Sequence, residues 1–153
     1  MPRNLLLLTP LRRFGDEALL LMRLAIGAFI VWGVWDNVTS AEHMGKFIAF
    51  QRQFGFPYPE FMAPLSVYGQ LLMGLAIFFG LFTRWAGLIF AFHFVVAIAM
   101  VDHHQGLRGS LPSLCLVLMG LFWGTYGAGR YSLDAVLERR LPGPRRGLTP
   151  ELA

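Results

Sequence analysis

The sequence predicts an all-α integral membrane protein, a bundle of four helices with a short interfacial helix in the first outer loop. Three observations carry that reading. Hydrophobic residues make up 56% of the chain and charged ones only 14%, well below the share of about 25% charge in ordinary soluble domains. The apolar residues fall into four blocks of about 20, the length that crosses a hydrocarbon core of about 30 Å as helix. None of the blocks alternates like a strand, and lipid offers an exposed backbone no hydrogen bonds, which leaves helices packed side by side.

The four spans are expected at 18–39, 61–82, 85–101 and 111–127. They make one compact unit over 18–137, preceded by a segment at 1–17 and followed by a basic tail at 138–153. The stretch "LPGPRRGLTPELA" in that tail is rich in Pro and Gly with little to bury, and is expected to be disordered. The 40–60 connection mixes Met44, Phe47, Ile48 and Phe54 with Lys46, Gln51 and Arg52 at roughly helical spacing. This predicts a short helix across the outer mouth, ended by Gly55 and the prolines.

Basic residues set the orientation. Arg3, Arg12 and Arg13 precede the first span, Arg84 lies in the second connection, and Arg130, Arg139, Arg140, Arg145 and Arg146 follow the fourth. The other two connections hold only Lys46, Arg52 and Arg108. Both termini are therefore expected in the cytoplasm, with 40–60 and 102–110 outside. "LRRFGD" superficially resembles a twin-arginine signal, but the run behind it contains Arg23, lacks a small-residue cleavage site and is followed by three more spans. It reads as an uncleaved anchor. The net charge of +4 comes without a basic face interleaved with stacking aromatics. That suits a lipid bilayer with anionic headgroups and not nucleic acid.

A single cysteine, Cys115, excludes an intramolecular disulfide or C-x-x-C pair, and reads as a small apolar residue of the fourth span. No nucleophile–base arrangement, paired buried carboxylates or phosphate-cradling loop is visible, so no complete catalytic constellation marks an independent hydrolase or transferase. "GAGR" follows a helix and not a strand, which removes a dinucleotide reading. Gly127 and Gly129 are expected to end the fourth helix, Ser132 to cap "LDAVLERR", and Arg130 to pair with Asp134. Gly120 and Gly124 form a G-x-x-x-G motif for close packing, within the bundle or between copies.

Polar groups at bilayer depth are functional-site candidates. Arg23 lies about one and a half turns inside the first span, where it can snorkel, make a structural hydrogen bond, or meet an anionic or quinone headgroup. Gln70 and His93 both lie roughly 13 Å from the outer surface. His93 shares a face with Ala86, Ala97 and Met100, and Gln70 lies between Ser66 and Gly74. A Gln70–His93 hydrogen bond is expected, as interhelical glue or as the polar end of an apolar ligand pocket. The ligand-binding candidates are thus His93, Gln70, Arg23, Trp35 and Met100, with Trp35 equally readable as part of an aromatic belt.

Asp102, His103 and His104 are weak metal candidates, a loose cluster at a helix end that His43 and Asp36 would have to complete, and no metal is assigned. His93 cannot join them, being about 16 Å from His104 along the axis. Haem is a weak reading, because a second axial ligand would have to be a methionine such as Met119 or come from another subunit.

The stretches "LLLMRLAIGAFIVWGVWDNV", "FGFPYPEFMAPL", "GLFTRWAGL" and "GAGRYSLDAVL" resemble the DoxX family of small four-helix membrane proteins, over residues 19–137. The resemblance implies an inner-membrane bundle. Some relatives are subunits of quinone-linked, sulfur-oxidising complexes or are associated with oxidative-stress enzymes, which suggests a quinone as cofactor and a redox partner protein. Where the family often opens its "GLFTR" run with glutamate, this chain reads "QLLMGLAIFFGLFTR", with Gln70 in that place, so any proton handling by that acid does not carry over. The expectation is a redox-associated subunit binding an apolar ligand. A small-molecule carrier, a non-catalytic adaptor and a homo-oligomer remain open.

Overall fold

The structure, a computed structural model, describes residues 8–140. The tail expected to be disordered, from 141 on, lies outside them, as do Arg3, Arg145 and Arg146. A 3-10 turn (Thr9–Phe14) leads into α1 (Gly15–Thr39), followed by α2 (Ala41–Gln53), α3 (Pro59–Phe79) and α4 (Thr83–Met100). A second 3-10 turn (Asp102–Gln105), α5 (Gly106–Tyr126) and α6 (Leu133–Arg140) follow. Helices α1, α3, α4 and α5 are each long and apolar enough to cross a membrane. The ends where α1 and α4 begin and α3 and α5 stop, beside α6, are called here the foot, and the opposite ends, beside α2, the roof.

Local chemistry fixes the ends. α1 starts three residues earlier than expected, with Asp16 and Glu17 in its first turn, where negative charge complements the helix dipole. α3 begins with Pro59 at its first position and stops at Gly80, whose φ of 67° lies in the left-handed region. α5 begins at Gly106, five residues before the expected start, and carries Pro112 inside its first two turns. α2 occupies the expected interfacial segment, with the Ser40 hydroxyl accepting from the His43 N–H at 3.4 Å.

The bundle is built as two close pairs. On α1 the buried stripe is Leu19, Arg23, Gly27, Ile30 and Val34. Gly27 lets α1 meet α3, since a Cβ there would lie 2.8 Å from the Gly74 carbonyl oxygen and from Phe78 Cβ. α4 and α5 meet at Gly87 and Gly120, where a Cβ on Gly87 would lie 2.6 Å from the Gly120 oxygen and one on Gly120 2.7 Å from the Gly87 oxygen. Gly124 rests against Leu88 of the same pair. The G-x-x-x-G face is therefore used within the bundle, in the small-residue mode of membrane helix packing. Cys115 faces outward.

The two pairs join through Leu19, Ile30, Met73, Ile77, Ala86, Phe90 and Trp123. On α4 the buried residues end at Ala91, and on α5 they begin at Val117. The foot half is thus densely packed, whereas the roof halves of α4 and α5 bury no residue fully.

Candidate functional site

At the foot, α6 is bound to the start of α4 and to the end of α3. The Ser132 hydroxyl caps α6 by accepting from the Ala135 N–H at 3.1 Å, as expected. Asp134 in the first turn of α6 reaches the start of α4, where its carboxylate accepts from the Phe82 N–H at 2.7 Å and the Thr83 N–H at 2.8 Å. The Asp134 N–H in turn donates to the Gly80 carbonyl at 2.8 Å. This is an N-cap supplied from 51 residues away, and it satisfies orphan donors of a helix whose own cap position, Phe82, has a φ of 49° and no side-chain cap.

Because Asp134 is spent on α4, the expected pair with Arg130 does not form. Arg130 turns to α1, with its Nε 3.7 Å from Asp16 and its Nη2 3.6 Å from Glu17. A hydrogen bond to Tyr131, together with these carboxylates, raises its pKa above the ordinary arginine value, so it stays charged at any physiological pH.

Arg23 lies under this clasp and does not snorkel. Its side chain is fully buried, and its Nη2 donates to the Tyr131 carbonyl at 2.5 Å. Gly80 makes room for it, because any Cβ there would collide with the guanidinium and with Ser132. Its Nε and Nη1 have no partner among the described residues, nor do the buried Thr83 Oγ1 and Trp123 Nε1.

Toward the roof the polar residues are less engaged. Gln70 donates from Nε2 to the Ser66 hydroxyl on its own helix at 3.3 Å. His93 is half-buried and meets Phe94 edge-on at 5.2 Å. Among the described residues no hydrogen bond joins Gln70 to His93, and His93 makes none at all, so the interhelical glue is absent. Met100 is half-buried at the end of α4.

Trp35 is on the other pair, where it lines a groove of about 440 Å³ with Ala28, Val31, Trp32, Leu75, Phe78 and Phe79. The structure therefore does not gather the five ligand candidates into one site. Arg23 belongs to the foot, Trp35 to the α1–α3 groove, and Gln70, His93 and Met100 to the roof halves of α3 and α4.

Asp102, His103 and His104 do not converge on a common point. Asp102 accepts from the Ser113 hydroxyl of α5, His103 Nδ1 lies 3.3 Å from the Ile98 carbonyl, and the two imidazole rings are 3.7 Å apart and tilted by 40°. His104 also approaches Phe54 at the end of α2, with ring centroids 6.1 Å apart. Among the described residues no three His, Cys, Asp or Glu side chains form a metal-binding group.

A family model described as DoxX matches residues 18–103, more than half of the chain. The chain belongs to the DoxX family. No curated protein and no solved structure matches it. The match runs from α1 to the turn after α4, so this DoxX protein carries the Arg23, Gly80 and Thr83 side of the clasp inside the matched region and Asp134 beyond it.

Two buried polar residues were not singled out by sequence reasoning. Thr83 opens α4 inside "GLFTR", and Gln51, 3% exposed with an unpartnered Oε1, lies on the inner face of α2. For Gln51 the signal was present, since Met44, Phe47, Ile48, Gln51 and Phe54 share one helical face.

Proposed function

We propose that this DoxX-family protein is an inner-membrane subunit, both termini cytoplasmic, that holds a quinone-class ligand for a redox partner. The observation that carries the reading is His93, a half-buried imidazole within a membrane span that has no hydrogen-bond partner among the described residues. A polar group at that depth needs one, and a ligand carbonyl supplies it.

Three further features support it. Gln70 spends only its amide N–H on Ser66, leaving its oxygen free. The roof halves of α4 and α5 bury no residue fully, so the face beside Met100 is accessible to an apolar ring. The groove at Trp32 and Trp35, on the other helix pair, is lined wholly by apolar and aromatic side chains and offers a separate apolar contact surface. Arginines gathered at the foot support the cytoplasmic placement of both ends.

The test is to purify the protein in mild detergent and identify what remains bound by absorbance and mass spectrometry. A quinone retained by the native protein and lost in His93→Leu is expected. A folded native protein that retains no quinone, or equal retention in the variant, overturns the assignment. Uptake of an apolar solute into liposomes without quinone retention would instead indicate a carrier.

A further inference from the structure

We propose that the cleft between the foot helix α6 and the ends of α4 and α5 seats a zwitterionic phospholipid headgroup carrying a primary ammonium. Its phosphate lies toward Arg84 and Arg130, and its ammonium toward Glu138. This site is independent of the quinone reading.

The cleft has a volume of about 580 Å³ and opens where the spans end, at the headgroup level of a bilayer. Trp85, 70% exposed, and Tyr126, 59% exposed, line it; aromatic rings of this kind settle at the membrane–water interface.

The charged side chains lining the cleft are Arg84, Arg130, Asp134 and Glu138. Asp134 is consumed by the N–H groups of Phe82 and Thr83. Arg130 is held by Asp16 and Glu17. Arg84 donates to two carbonyls at the end of α5, Thr125 at 2.5 Å and Tyr126 at 3.3 Å, and has no carboxylate partner among the described residues. Glu138 has no cationic partner among them either.

One cation without an anion and one anion without a cation therefore face the same cleft without pairing with each other. A headgroup with a phosphate and an ammonium a few bonds apart completes both. An anionic headgroup offers nothing to Glu138, and a quaternary ammonium has no N–H to donate to it.

The test is native mass spectrometry of the full chain in detergent with an equimolar mixture of phosphatidylethanolamine, phosphatidylglycerol and phosphatidylcholine of identical acyl chains. Phosphatidylethanolamine adducts are expected to exceed either competitor by about fivefold, the upper end for an ion pair at an exposed site. Glu138 is exposed on a helix surface, so Glu138→Gln should fold normally and bring the preference over phosphatidylcholine below about twofold. Glu138→Lys should shift the preference to phosphatidylglycerol. Equal retention of the three lipids by the native chain, or an unchanged ratio in both variants, overturns the proposal. Displacement of the lipid by soluble glycerophosphoethanolamine at equal concentration overturns it too, since the headgroup alone would then be the ligand.

Discussion

The foot and roof halves of this bundle are made from the same four helices and hold together in different ways. At the foot, Asp134, Arg130 and Arg23 link α6 and the stretch before it to α1 and to the α3–α4 turn through hydrogen bonds that cross up to 114 residues of chain. Toward the roof, most side-chain hydrogen bonds stay local, as in Gln70 to Ser66 and Ser110 to Gly106. The bonds at the foot tie distant parts of the chain together, so the clasped end behaves as one rigid piece, while the loosely bonded end can accommodate a guest.

That contrast can be broken first at the glycine crossing. Gly120→Leu inserts a side chain where the Gly87 oxygen would lie 2.7 Å from its Cβ. A loss of about 3 kcal/mol is expected from such overpacking, read as a collapse of the thermal transition in detergent. Gly33→Leu, with nothing within 4 Å of its Cβ, should melt like the native protein.

Asp134→Ala comes next. It removes the cap of α4, for an expected cost of about 1–2 kcal/mol. Asp134→Asn, which keeps one acceptor, should recover part of the lost melting temperature. Arg23→Met should cost only about 1 kcal/mol by the same thermal assay, because it gives up one hydrogen bond while removing two orphan donors, and Asp134 keeps its backbone partners.

In the roof half, His93→Leu is expected to change stability by less than about 0.5 kcal/mol, since no hydrogen bond in the chain is lost. A larger drop in melting temperature would mean that the imidazole is structural. The smallest effect belongs to Lys46→Ala on α2, where an exposed pair with Glu42 at 2.6 Å is removed. About 0.3 kcal/mol is expected, detectable only as a slight rise in amide exchange of α2.

Much of the fold was legible in the sequence because it is set by local pattern. Twenty-residue apolar blocks define the spans, and Met44, Phe47, Ile48 and Phe54 define α2. The terminal residues were harder, since Pro112 inside α5 and Gly80 after α3 shift the ends by one turn.

The clasp was not legible. Nothing in the neighbourhood of Asp134 points to the N–H groups of Phe82 and Thr83, and spacing alone favoured Arg130 as its partner. Arg23 looked able to reach water, because the helix that covers it begins 110 residues later in the chain. The missing Gln70–His93 bond has a similar origin. Equal depth on two helices says nothing about which pairs pack closely, and α3 packs on α1 while α4 packs on α5.

The buried guanidinium of Arg23 also constrains how the molecule is made. Synthesis delivers the first helix to the membrane long before Tyr131 and Asp134 emerge from the ribosome, and an unaccompanied arginine at the centre of a helix costs about 3 kcal/mol to insert. Early intermediates must keep that charge near the surface, and the first span can sink to its final depth only once the Tyr131–Asp134 stretch arrives to receive it.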